Sequence, residues 1–148
     1  MAKGVIIDAN ATLDLFLRLP YSDKVEQWFR KQQQLKTQLV APVLWEHECL
    51  TGLRRAVTFN MISTKDAIWM ARQLLVLEVK RIIPTEELHS AALIWAERIG
   101  HSKTYAAHYL ALSENLAADF WTADSRLMNS VRELGIDWVY CFSGSMSL

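Results

Sequence analysis

The chain has 148 residues, a formal net charge of zero and 51% hydrophobic residues, so it can bury a core as one domain without disulfide or metal staples. Balanced charge excludes a surface that binds nucleic acid by bulk electrostatic attraction, while leaving room for a local basic patch beside an acidic pocket. No charged start with an apolar signal core is present, and no run of about 18 apolar residues, so a soluble, cytoplasmic protein with no membrane contact is expected.

Residues 4–8, Gly4-Val5-Ile6-Ile7-Asp8, read as a buried strand. A helix follows with Leu13, Phe16 and Leu17 on one stripe, and Pro20 stops it. Ser22-Asp23 is expected to cap a second helix carrying Val25, Trp28 and Phe29, with Gln32-Gln33-Gln34 as its polar end. Leu39 to Pro42 reads as a second strand, and Leu44 to Thr58 as a helix. Ser63-Thr64 caps another, with Ala67, Ile68, Ala71, Leu74 and Leu75 as apolar positions. Val79 to Ile83 is a third strand ended by Pro84. Thr85 caps a helix through Ile99, and Gly100 closes it. Ser102 opens a helix to Leu116, Asp119 to Thr122 is a strand, Ser125 to Leu134 a helix, and Trp138 to Phe142 the last strand. Such alternation predicts an α/β fold, a parallel sheet in a three-layer α/β/α sandwich, as a single domain over 1–148 with a flexible tail at 143–148.

The six tryptophans, Trp28, Trp45, Trp69, Trp95, Trp121 and Trp138, mostly occupy core positions of these elements. Cys49 and Cys141 show no metal-ligand spacing and read as buried free thiols, which fits a reducing compartment.

The chemistry concentrates at strand ends. Val5-Ile6-Ile7 runs into Asp8, and Phe120-Trp121-Thr122-Ala123 runs into Asp124. In an open parallel sheet, ligands bind beyond the carboxyl ends of the strands. Two carboxylates placed there, with Glu46 or Glu48 just after the second strand, can converge on one point. A convergent set of carboxylates selects a hard cation such as Mg²⁺ or Mn²⁺. Each aspartate also precedes a helix, where a carboxylate serves as a cap.

The order and wording of these segments resemble the PIN domain, in particular the VapC-type toxin nucleases, over nearly the whole chain. The resemblance opens on Ile7-Asp8-Ala9-Asn10. It continues through Ala41-Pro42 to Glu48-Cys49-Leu50-Thr51-Gly52-Leu53-Arg54-Arg55. Its most specific part is Tyr105-Ala106-Ala107-His108-Tyr109-Leu110-Ala111-Leu112-Ser113-Glu114, followed by Trp121-Thr122-Ala123-Asp124-Ser125-Arg126-Leu127. Counting from the proline and from Leu-Arg-Arg, the resemblance selects Glu48. Glu46, two residues earlier, lies about 200° around the helix. One position departs from the family pattern: Ala106 stands where Tyr-Asp-Ala would supply a metal-site aspartate. His108 and Glu114 fall on the wrong face and two turns away, respectively, and do not replace it.

The resemblance implies a metal-dependent endoribonuclease of a toxin–antitoxin system that hydrolyses RNA phosphodiesters, with Mg²⁺ or Mn²⁺ held by Asp8, Glu48 and Asp124 and impaired at Ala106. Asn10 and Thr122 are expected to orient a carboxylate or a metal-bound water. Arg54, Arg55, Lys103 and Arg126 are the candidates for holding RNA, whereas Lys80-Arg81 starts a strand at the far end of the sheet. A homodimer and a small antitoxin are the implied partners. The alternative is a catalytically inactive PIN-like module that binds RNA or an antitoxin. A phosphotransferase of the haloacid-dehalogenase type is a poorer reading of Asp8-Ala9-Asn10-Ala11-Thr12-Leu13, because Asn10 and Ala11 replace that pattern's second aspartate and its glycine.

Overall fold

The computed structural model of the chain describes residues 4–142, so the tail expected at 143–148 lies outside the described residues. Five strands form one sheet, β1 (Gly4–Ile7), β2 (Gln38–Pro42), β3 (Val79–Ile82), β4 (Asp119–Thr122) and β5 (Val139–Cys141), in the order β3-β2-β1-β4-β5. Every pairing is parallel, with Ile6 opposite Val40 on one side and Phe120 on the other. The chain therefore reverses its winding direction at β1 and β4, the place where a parallel sheet opens a crevice at its carboxyl edge.

Seven helices connect these strands within the described residues: α1 (Ala9–Leu13), α2 (Ser22–Leu35), α3 (Leu44–Thr58), α4 (Thr64–Leu75), α5 (Glu86–Ile99), α6 (Tyr105–Leu116) and α7 (Ser125–Glu133). The period of two along β1 divides the core. Val5 and Ile7 join Val25 and Trp28 of α2 and Phe142 on one face. Ile6 points to the other face, into a larger core with Val40, Trp45, Leu74, Trp95, Leu110, Phe120 and Leu127. Asp8 and Thr122 continue the alternation of Ile6 and Phe120, so both leave the sheet edge toward the face covered by α3 and α6.

Several local expectations are corrected. The first helix ends at Leu13 instead of running to Pro20. Asp14 N–H bonds Ala11 O at 3.2 Å and Phe16 N–H bonds Leu13 O at 3.0 Å, a tightening to three-residue turns. Ser22 is the first residue of α2 and not its cap: its hydroxyl donates to Leu17 O at 2.8 Å and accepts from Leu19 N–H at 3.0 Å, stitching the preceding turn. Helix α6 starts at Tyr105, three residues later than expected from Ser102. By contrast, Ser63 and Asp66 form a reciprocal capping box, Thr85 caps α5, and Gly100 takes the left-handed conformation that ends it, at φ 70°.

Trp28, Trp45 and Trp95 are buried, Trp121 and Trp138 are partly buried, and Trp69 on α4 is 58% exposed, against the expectation of a core role. Cys49 and Cys141 are both buried, and neither forms a disulfide among the described residues. Arg81 packs over the Trp45 ring, 4.9 Å from its centroid, and pairs with Glu46 at 3.0 Å, a structural role for the Lys80-Arg81 strand. Helix α3 also approaches α1 very closely. A Cβ on Gly52 would stand 2.1 Å from Leu13 Cδ1, so glycine there permits the contact.

Candidate active site

Asp8, Glu48 and Asp124 line one small cavity of about 60 Å³ at the carboxyl edge of the sheet, together with Ala9, Asn10, Ala106, Tyr109, Phe120 and Leu127. Asp8 comes from the end of β1, Asp124 from the end of β4, and Glu48 from the second turn of α3. Ala106 and Tyr109, three residues apart on α6, share the face that closes the cavity. Glu46 turns away to Arg81, and Glu114 accepts a hydrogen bond from Trp95 Nε1 at 3.2 Å. Among the described residues, no acid besides Asp8, Glu48 and Asp124 lines the cavity.

The two aspartates serve as caps as well as lining the cavity. Asp8 Oδ1 accepts from Ala11 N–H at 2.9 Å. Asp124 Oδ1 accepts from Arg126 N–H at 3.0 Å and Leu127 N–H at 3.1 Å. Capping fixes the direction of each carboxylate and commits one of its oxygens. Thr122 joins the two. Its hydroxyl donates to Asp8 Oδ2 and accepts from Asp124 N–H at 3.0 Å. Glu48 is held from α6, where Tyr109 O–H donates to its Oε1 at 2.8 Å. Tyr109 is buried and stacks on Phe120 with ring centroids 5.5 Å apart, so its hydroxyl has little freedom to move.

A neutral brace sets the separation of α1 and α3. Trp45 Nε1–H donates to Thr12 Oγ1 at 3.0 Å, and that hydroxyl donates to Asp8 O at 2.8 Å. Trp45 and Glu48 lie one turn apart on α3, so the tie that anchors the indole also places the glutamate.

Electrostatically the cavity has a surplus of negative charge. Burial pushes the Asp8 carboxyl up to about 7; the Thr122 and Ala11 hydrogen bonds pull it back, while the charges of Glu48 and Asp124 raise it further. Burial also raises Glu48, with the Tyr109 bond acting against it. The Tyr109 hydroxyl is raised by burial and by the charges of Glu48 and Asp8, which keeps it a donor. A bound cation would favour the ionised carboxylates.

The oxygen donor set suits a hard divalent ion, but its spacing does not make a tight cage. Among the described residues no group of three or more His, Cys, Asp or Glu side chains is close enough to hold a metal ion directly. The set therefore fits an ion held in part through water, as Mg²⁺ commonly is.

Of the residues expected to support the site, Asn10 lines the cavity with an exposed side chain, and Thr122 is buried behind it. Arg54, Arg55, Lys103 and Arg126 are all exposed, and none lines the cavity. Sequence reasoning assigned no role to Tyr109. Its spacing of three from Ala106, on a helix already linked to the site, is the signal that identifies it.

A family model for the PIN domain matches residues 5–134. The chain belongs to the PIN-domain family. Among solved structures it is similar to PAE2754 from Pyrobaculum aerophilum, with a TM-score of 0.62, 18% sequence identity and coverage of 88% of this chain and 87% of that one. At that identity the likeness supports the fold. A search of the curated proteins finds no match. Membership implies a nuclease-type function in general, with RNA as the polymer bound and divalent metal ions as the group such domains typically use. Among the described residues no helix is long and apolar enough to cross a membrane.

Proposed function

We propose that this chain is a metal-dependent endoribonuclease of the VapC toxin type, weakened at one position of its metal site by Ala106. The observation that carries this reading is the meeting of Asp8, Glu48, Asp124 and Ala106 in the wall of a single cavity. Asp8, Glu48 and Asp124 hold one Mg²⁺ or Mn²⁺, partly through water. When bound, the ion polarises a phosphoryl oxygen and lowers the pKa of water at the site. Thr122 and Tyr109 aim the carboxylates, and Asn10 at the rim orients water or substrate. Arg54 and Arg55 lie six and seven residues beyond Glu48 on α3, about 9–10 Å along the axis, and reach the RNA backbone outside the cavity with Lys103 and Arg126. A homodimer and a small antitoxin complete the toxin reading, and the exposed Ile68 and Trp69 of α4 supply apolar surface for such pairing.

The second reading is a PIN module that binds RNA or an antitoxin without cutting, and Ala106 is the observation that favours it. One experiment separates the two. Cleavage of a mixed RNA pool is measured for the chain and its Ala106→Asp variant, each with Mn²⁺ and with EDTA. Mn²⁺-dependent cutting by the variant supports the nuclease reading. No cutting by either protein overturns it in favour of the binding module.

A further inference from the structure

His108 stands on α6 between Ala107 and Tyr109 but points away from the acidic cavity, toward α5. Its Nε2 lies 3.0 Å from His89 Nδ1, and the two rings are nearly perpendicular, at 83°. The other ring nitrogen, His108 Nδ1, is 2.8 Å from Thr104 O. A carbonyl accepts only, so Nδ1 carries the proton and Nε2 presents its lone pair to His89. This is the arrangement that fixes a metal-binding imidazole, with one nitrogen donating to a carbonyl and the other left basic. His89 is exposed and His108 half-buried, so the pair is open to solvent, and it bridges two helices that pack against each other.

We propose that His89 Nδ1 and His108 Nε2 form a binding site for an imidazole-preferring divalent transition metal, separate from the oxygen-lined cavity. Metal–nitrogen bonds of about 2.0–2.1 Å across the 3.0 Å gap give an N–metal–N angle of about 94°. That angle matches the near-90° ligand pairs of tetragonal Cu²⁺ and Ni²⁺ better than tetrahedral Zn²⁺, whose nitrogens would separate to about 3.3 Å. The ion stands about 1.4 Å off the line joining the nitrogens, so both rings turn to aim their lone pairs at it. Without metal, His89 donates its Nδ1 proton to His108. With metal, that proton moves to His89 Nε2, and His89 Nδ1 turns its lone pair to the ion. Among the described residues no third His, Cys, Asp or Glu completes a cluster, so water fills the other positions. The ion clamps the first turn of α6 to α5, on the helix whose neighbouring face closes the acidic cavity.

The test follows the four imidazoles of the full chain by long-range ¹H–¹⁵N correlation while Zn²⁺ is added, and measures Ni²⁺ affinity by calorimetry. The expected result is a joint shift of His89 Nδ1 and His108 Nε2 at a single stoichiometry, with His47 and His101 unmoved. Ni²⁺ affinity falls at least about tenfold in His89→Ala and in His89→Gln, since loss of a ligand exceeds loss of an outer partner. Asp8→Asn leaves the joint shift of His89 Nδ1 and His108 Nε2 in place. A response confined to His47 or His101, or Ni²⁺ affinity unchanged in the His89 variants, overturns the site. None of these readouts depends on RNA cleavage, so the inference stands or falls apart from the nuclease reading.

Discussion

Two faces of α6 look onto different donor chemistry. The face with Ala106 and Tyr109 closes a cavity of carboxylates, where burial and mutual repulsion hold Asp8 near neutrality. The face with His108 meets His89 in solvent, with a lone pair fixed by the Thr104 carbonyl. A step of two residues along one helix thus exchanges hard oxygen for imidazole nitrogen, because side chains two apart point in nearly opposite directions. The lesson is that ligand type along a helix is decided by face. His108, two residues beyond Ala106, does not face the carboxylates.

The largest effect is expected from placing an acid at position 106. Ala106→Asp should raise Mn²⁺-dependent RNA cleavage by at least about a hundredfold, measured as the EDTA-sensitive rate, and leave the Zn²⁺ response of His89 and His108 unchanged. If the imidazole response also moves, the two faces are coupled and the separation fails.

Next comes the charge state of Asp8. Its carboxyl ionises at about 7 in the folded chain against 3.8 as the ordinary value, so between these values the folded state binds the extra proton. The contribution of Asp8 to stability is therefore fully present below about 3.8 and is lost as pH rises through about 7. In EDTA, Asp8→Asn should stabilise the fold at about pH 8, by an upper bound on the order of 4 kcal/mol read from the rise in melting point, and leave it unchanged at about pH 3. An Asn variant no more stable than the parent at the higher pH would mean that the buried carboxylate is not under strain.

A smaller effect is expected from Thr122→Val, which removes the donor to Asp8 and the acceptor for Asp124 N–H. Thermal unfolding should show a loss of about 1–3 kcal/mol, and the Asp8 titration should move above its parent value because the Thr122 bond now lowers it. The mildest change is Tyr109→Phe. It keeps the Phe120 stack and loses only the bond to Glu48. Mn²⁺ affinity should fall about tenfold while stability changes by about 1 kcal/mol or less. Equal Mn²⁺ affinity in the two proteins would remove Tyr109 from the positioning of Glu48.

Much of the architecture was legible because a parallel sheet buries its strands on both sides and writes them as short apolar runs. Val5 to Ile7 and Phe120 to Thr122 are plain in the sequence for that reason. Capping chemistry located α4 and α5 through Ser63, Thr85 and Gly100. The length of α1 was not legible, since Leu13, Phe16 and Leu17 keep a helical spacing while the backbone tightens into turns around Asp14. Ser22 misled because its hydroxyl serves the preceding turn. Trp69 misled because apolar spacing on α4 does not reveal which positions lack a covering neighbour. At the candidate site, strand ends brought out Asp8 and Asp124, and the family resemblance chose Glu48 over Glu46, whereas Tyr109 reaches Glu48 across 61 residues, a pairing that no local pattern encodes.

The brace from Trp45 through Thr12 to the Asp8 carbonyl is built wholly of uncharged groups. Neither protonation of the carboxylates nor arrival of an ion changes its members. The spacing of α1 and α3 therefore acts as a fixed gauge, set by an indole and a hydroxyl before any charge enters. Metal-free and metal-loaded chains should superpose along both helices.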